Sequence, residues 1–444
     1  MSNQIPATPA DVLEISSPSL RVKIAAAVKA AELFGYWRHP CEGAATDLAE
    51  MTRRDVYYWV YKSEHPIVRP ERGAPPLQTD SSLVGLPPGF EKQRALTLGA
   101  GGDLLRCRGI ERSKDKLFEG VADLLFDSDI SYANLESPIT EQPLREEVIG
   151  DGGPPIECCS PEQFEILRGH EGRRFTVLHT ANNHILDMGL EGLETTRRVL
   201  AEQGILEVGT NPRPEDEGRA KTLVRNGIKL GFASATFGLN GHELPETERH
   251  RVNLARLCST EVAPELDLLK RQVDDAKAEG CDFIIASLHW GHEFELFPRR
   301  QQIETAHTLV EYGADAILAH HPHVIQPIEY LRPGRDPGRV AVIAYSLGSL
   351  AWGFTAPHLV LSTILNLTLA KGQVGGESRT FIETVRATPV VRRYAESGGE
   401  LVARIERLAD QLDGRSDGVA RAHHSETWKL AELVLGSMSP LQAS

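Results

Sequence analysis

Residues 282–323 read DFIIASLHWGHEFELFPRRQQIETAHTLVEYGADAILAHHPH. Two short apolar runs, FIIASLH and AILAH, flank a segment with helical spacing from Arg299 to Tyr312, and Gly313 stands where a helix C-cap belongs. A strand, a helix and a second strand in that order form the repeating unit of an α/β fold. Both strands end in imidazoles: His289 and His292 on the first, His320, His321 and His323 on the second.

The same alternation extends on either side. ALTLGAGG from Ala95, DISYANLE, FTVLHTANN, ILEVGT, IKLGFASAT and VAVIAYSLG read as strands. Lys114–Phe126, Leu190–Gln203 and Pro264–Glu279 read as helices, with Gly204 and Gly280 as C-caps. Val340 to Ala370 carries no Asp, Glu, Lys or Arg, but Gly348, Gly353, Pro357 and His358 interrupt it. The segment is therefore expected to be two buried strands, Val340–Ser346 and Leu359–Leu369, rather than a membrane span. Leu361, Thr363, Leu365, Leu367 and Leu369 fall on one face of the second.

Residues 1–93 read as an addition, with helices over Leu20–Trp37 and Met51–Ser63 and then a Pro-rich linker. Ile24, Ala27, Val28, Ala31 and Phe34 make the apolar stripe of the first helix. Residues 94–370 are the expected catalytic domain. Residues 371–444 read as a helical extension, with helices over Glu400–Leu412 and Thr427–Leu435.

Composition narrows the function. In 444 residues the formal net charge is −14, and no basic run offers a face for phosphate backbones, so no nucleic-acid partner is expected. Apolar residues make up 41%, enough for a large core. The six cysteines form no CxxC pair, and the N-terminus has no basic region followed by an apolar one. A reducing, cytoplasmic location without membrane attachment is expected.

Ligand-type residues recur at the strand ends, where α/β sheets place their sites. They are Asp103; Asn134 and Glu136; Asn182, Asn183 and His184, with Asp187 three further on; His289, His292 and Glu293; and His320, His321 and His323. Imidazoles and carboxylates bind divalent cations and move protons. His321 and His323, at i and i+2 of an extended segment, are expected to point to one side and reach one ion.

The motifs GGDLL (101–105), ANLESPI (133–139), ANNHILDMG (181–189), HWGHEFE (289–295), HHPHVIQPIE (320–329) and YSLGSL (345–350) resemble those of the CapA family. These are poly-γ-glutamate capsule synthesis proteins related to calcineurin-like metallophosphatases. The resemblance implies a calcineurin-like four-layer α/β/β/α sandwich. It also implies a metal centre of Asp103, Glu136 (in place of a bridging Asp), Asn183, His289, His321 and His323, with His184 in the Asn-His motif. Two residues after Asp103, where that superfamily has a His ligand, stands Leu105. One oxygen-rich site, or a metal held partly through water, is therefore expected, with Ca, Mn, Mg or Zn as the ion.

The resemblance implies peptide-like, carboxylate-bearing substrates, and a soluble relative is the epimerase of lasso-peptide biosynthesis. The expected function is accordingly a metal-dependent epimerase inverting the α-carbon of the C-terminal residue of a ribosomally made precursor peptide. His184 with Asp187 and His292 with Glu293 are the expected proton carriers. The alternative is a metal-dependent hydrolase of γ-glutamyl amide or phosphoester bonds. The expected substrate is a peptide or poly-amino acid. The loop Gly238–Arg256 reads as a lid or a surface excursion.

Overall fold

A computed structural model describes residues 5–144, 149–150, 156–412 and 418–436. Fourteen strands build two sheets, numbered here in chain order. They are β1 (Glu91–Leu104), β2 (Ile130–Leu135), β3 (Val177–His179), β4 (Leu206–Val208), β5 (Lys221–Arg225), β6 (Ile228–Thr236) and β7 (Phe283–His289). The rest are β8 (Ala316–His320), β9 (Ile328–Leu331), β10 (Ala341–Ala344), β11 (Ser349–Ala351), β12 (Leu361–Val374), β13 (Glu377–Ser397) and β14 (Glu400–Arg407). One sheet runs β14-β13-β12-β1-β2-β3-β4, with β11 paired to β1; the other runs β9-β10-β8-β7-β6-β5.

Alternation within each strand sets the layers. On β7, Phe283 and Ile285 point between the sheets, where they meet Leu98, Ile130, Tyr132, Val177 and Leu365 of the other sheet. Ile284, Ala286 and Leu288 point the opposite way, against Leu269, Val273 and Ala276 and against Ile303, Ala306 and Leu309. Those residues lie on the helices Asp267–Ala278 and Arg300–Tyr312. The first sheet is covered likewise by Phe164, Leu167, Val199 and Leu200. Strands buried on both faces read as continuous apolar runs, which is why they were visible in the sequence. The result is the four-layer α/β/β/α sandwich that the resemblance implied.

Three local expectations are corrected. Glu400–Leu412 is not a helix: its first eight residues are β14, paired antiparallel to β13 from Ser397↔Glu400 to Val390↔Arg407. Gly398 and Gly399, at φ 65° and 81°, make the tight reversal that delivers it there. Helix over Lys114–Phe126 is confined to Ala122–Phe126 after one 3-10 turn. The second strand of the uncharged segment starts at Leu361, after a single helical turn at Pro357–Val360, and its pairing runs on through Gln373 with β1 and through Val374 with β13. Thr427–Leu435 is helical as expected, within Gly418–Leu435. Among the described residues no helix is long and apolar enough to cross a membrane.

The N-terminal helices are Pro18–Phe34, with Ser17 as N-cap and left-handed Gly35 as C-cap, and Arg53–Glu64. Ile24, Val28 and Ala31 are buried as the stripe requires, while Phe34 is exposed and stacks on Tyr36. This pair docks on the loop after β7. Ile67 and residues 294–296 exchange backbone hydrogen bonds, and Lys62 and Tyr58 reach the buried Glu295, which also holds Arg299 at 2.7 Å.

Candidate metal centre

Parallel register aligns Asp103, Asn134 and His179 across one sheet and Thr236, His289 and His320 across the other. The two rows face each other at the C-terminal ends of the strands. Asp103 reaches its place through a register shift in β1 at Gly101–Gly102. A Cβ on Gly102 would lie 1.8 Å from the Gly348 carbonyl oxygen, so only glycine allows this approach.

The buried donors fall into two sets that share Glu136: Asp103, Glu136 and His323, and Glu136, His289 and His321. Within each set the ligand atoms lie inside 4.8 Å of one another. Asn183 Oδ1 sits 2.7 Å from His289 Nε2, and Glu136 Oε1 3.3 Å from the same nitrogen. Among the described residues Asp103 Oδ2 and Glu136 Oε1 have no hydrogen-bond partner although both are buried. Unsatisfied carboxylate oxygens in a dry interior are costly unless a cation meets them. Mixed carboxylate, imidazole and amide-oxygen donors suit such an ion. All six residues expected as metal ligands are thus brought together, and Glu136 stands between the two sets. Where one site was expected, the donors offer two.

Electrostatics agree with that fit. Burial raises the Asp103 carboxyl, but the imidazoles of His320 and His323 beside it take it well below the usual carboxylate range. Glu136, buried and facing the Asp103 charge, is pushed up to about 8. A cation shared by the two carboxylates would let both ionise. Burial, reinforced by neighbouring imidazoles, holds His289 and His321 well below their ordinary value and therefore neutral, the state that binds metal.

His321 and His323 converge for a reason other than the one expected. Their segment is not extended: φ is 97° at His321 and 57° at His323. A left-handed turn around Pro322, costly for non-glycine residues, puts the ring centroids 6.0 Å apart. Leu105, in the place of the missing His, is buried in an apolar cluster with Phe294, Val324 and Trp352.

The four expected proton carriers separate. His184 Nδ1 lies 2.7 Å from Asp187 Oδ2, both side chains buried. Burial would lower the His184 imidazole, but the Asp187 carboxylate takes it up to about 9. Asn240 and His242, from the loop read as a lid or surface excursion, reach His184 and Asp187 respectively, so that loop joins the site. Glu293 lines the same cavity and accepts a hydrogen bond from the Trp59 indole. His292 is not among the residues lining the cavity. It is buried near Arg299, Glu295 and Lys62, and burial with the Arg299 charge keeps it neutral. The expected His292–Glu293 pair is replaced by Trp59–Glu293.

Residues 97–353 match the family model of the bacterial capsule synthesis protein PGA_cap. The chain belongs to this family. It is 28% identical over 295 residues to the PGA biosynthesis protein CapA of Bacillus subtilis, covering 65% of this chain and 71% of that one. It is 26% identical to the capsule biosynthesis protein CapA of Bacillus anthracis, covering 58% and 60%. The solved calcineurin-like phosphoesterase YfkN from Bacillus subtilis aligns at 14% identity with a TM-score of 0.39, covering 77% of this chain and 99% of that one.

Several residues of this PGA_cap chain's site escaped the sequence reading. Behind Asp103, Tyr132 Oη touches His320 Nε2 (2.9 Å) and Ser287 Oγ (2.6 Å), and Ser287 meets His179 Nδ1 (2.5 Å). Ser349 Oγ lies 3.0 Å from His323 Nδ1, while Asn134, already named from the sequence, donates to Asp103 at 2.9 Å. Outside the PGA_cap segment, the N-terminal addition supplies much of a cavity of about 500 Å³ over the donors. Leu13, Ile15, Leu48, Met51 and Trp59 form apolar wall of the cavity that His184, Glu293, His321 and His323 also line. The acidic, imidazole and asparagine residues at the strand ends carried a sequence signal. An apolar wall reads like any core.

Proposed function

We propose that this protein is a metal-dependent enzyme that acts on a peptide or poly-amino-acid chain and inverts the α-carbon of its C-terminal residue. The observation that carries this reading is a pair of proton-transfer groups, His184 held by Asp187 and Glu293 held by Trp59, on the wall of one largely apolar cavity beside the donor sets. Glu136 feels the charges of both. The relatives' names, PGA biosynthesis and capsule biosynthesis proteins, support a chain of amino acids as substrate.

Inversion needs a base on one face of the α-carbon and an acid on the other. With Asp187 accepting from Nδ1, His184 presents Nε2 to the cavity. Glu293 serves as its counterpart, one group taking the α-proton and the other returning a proton to the opposite face. A divalent cation, when bound by Asp103, Glu136, Asn183, His289, His321 and His323, supplies positive charge to the substrate's carboxylate. The largely apolar walls lower the local polarity around these groups, which strengthens their interactions.

The test is incubation of candidate peptides in D₂O with added divalent cation, followed by mass and chiral analysis. Deuterium at the α-carbon of inverted product is expected. Inverted product without deuterium rules out the proton-transfer scheme.

Hydrolysis is a second reading, favoured by the sharing of Glu136 between two donor sets. Two-metal hydrolases use such an arrangement to hold attacking and leaving oxygens. Release of amine from γ-glutamyl amides, or of alcohol from phosphoesters, with no α-deuterium in recovered substrate, would favour it.

A further inference from the structure

We infer that Thr46, in the N-terminal addition and outside the PGA_cap segment, is a positioning residue of the metal centre that sets which nitrogen of His321 meets the cation. The inference rests on the reading of the donor sets as a metal centre.

Thr46 Oγ1 lies 3.3 Å from His321 Nε2. The other ring nitrogen, Nδ1, is buried and has no hydrogen-bond partner among the described residues. An imidazole that binds a metal through one nitrogen commonly donates from the other to a fixed acceptor, which settles tautomer and ring orientation. Thr46 is that acceptor here. With the proton on Nε2 and directed to the hydroxyl, the Nδ1 lone pair is the one free for an ion. His323 is arranged in the mirrored sense: Ser349 takes Nδ1, leaving Nε2 3.8 Å from Glu136 Oε1.

The rest of the site gives His321 little other guidance. Its backbone is left-handed at φ 97°, and its ring is flanked by Phe237 at 4.5 Å and His289 at 5.0 Å between centroids. Those contacts restrict tilt but leave the two nitrogens undistinguished.

Thr46 itself is held from both sides. Two residues before it, the Ala44 carbonyl accepts from the buried Arg299. Four residues after it, Glu50 accepts from Arg256, Ser259 and Thr260. A hydroxyl fixed this way can hold a ring, whereas one on a loose loop cannot. The N-terminal addition therefore contributes to ion binding as well as to the cavity wall.

The experiment is equilibrium dialysis of the full chain against Mn²⁺, comparing wild type with Thr46→Val, which keeps shape and removes the acceptor, and Thr46→Ser, which keeps the hydroxyl. Wild type is expected to bind Mn²⁺, Thr46→Val to bind it about 10- to 100-fold more weakly, and Thr46→Ser to retain wild-type affinity. Equal affinity of Thr46→Val and wild type overturns the inference and leaves the metal centre standing. Equal weakening of Val and Ser variants also overturns it, because shape rather than hydrogen bonding would then be responsible. Failure of the wild type to bind Mn²⁺, Zn²⁺ or Ca²⁺ overturns both the inference and the reading beneath it.

Discussion

His184 with Asp187 and His292 with Glu293 look alike in the sequence, each a ring and a carboxylate shortly after a strand. The structure treats them differently. Between His184 and Asp187 the chain makes a turn, with the Asp187 amide donating to the His184 carbonyl, and the carboxylate curls back to within 2.7 Å of the ring. His292 and Glu293 are adjacent, and neighbouring side chains leave the backbone in different directions. Glu293 enters the cavity and His292 joins the buried charges of Lys62, Glu295 and Arg299. Spacing that closes on itself brings ring and carboxylate into contact; mere adjacency does not.

The largest expected effect separates the two histidines. His184→Ala should slow turnover by about 10² to 10⁴, the range for losing a proton-transfer group. His292→Ala should leave turnover per folded molecule unchanged and lower stability by about 1–3 kcal/mol, read from denaturant midpoints. Equal catalytic losses in both would break the distinction.

Glu293→Gln tests the carboxylate that exchanged partners. It should lower inversion by about 10²-fold or more while leaving Mn²⁺ affinity in place. A smaller loss, about tenfold, is expected for Trp59→Phe, which removes the indole donor to a charged acceptor and keeps the ring. Steady-state rates with one peptide substrate give both numbers.

The smallest effect concerns pH. The folded-state value of His184, about 9, lies above the unfolded reference of 6.5. In cation-free protein its pairing with Asp187 therefore stabilises fully below about pH 6.5, and that contribution is lost as pH rises through about 9. Asp187→Asn should flatten the stability profile between those limits. An unchanged slope in urea midpoints from pH 6.5 to 9 would count against the pair.

The sequence reading went furthest where chemistry and burial coincide. Strand ends carrying Asp103, Glu136, Asn183, His289, His321 and His323 were legible because a polar residue closing an apolar run is conspicuous. β14 was misread because Leu401, Ile405 and Leu408 also fit a helical stripe, and pairing with β13 decides the matter. The left-handed turn at His321-Pro322-His323 left no local mark, since such geometry is imposed by the surrounding fold. The contacts of Thr46 and Trp59 were invisible for another reason: they form only once the N-terminal addition lies across the loop after β7.

The hydrogen bond between Tyr132 and Ser287 joins one sheet to the other directly beneath the donors. Those donors come from both sheets: Asp103 and Glu136 lie in or just after strands of one, His289 and His321 in or just after strands of the other. A slip of either sheet by a single residue would pull the ligand rows out of line and break this stitch at the same time. Ion capture and the integrity of the sandwich should therefore vanish together on heating, in one calorimetric step.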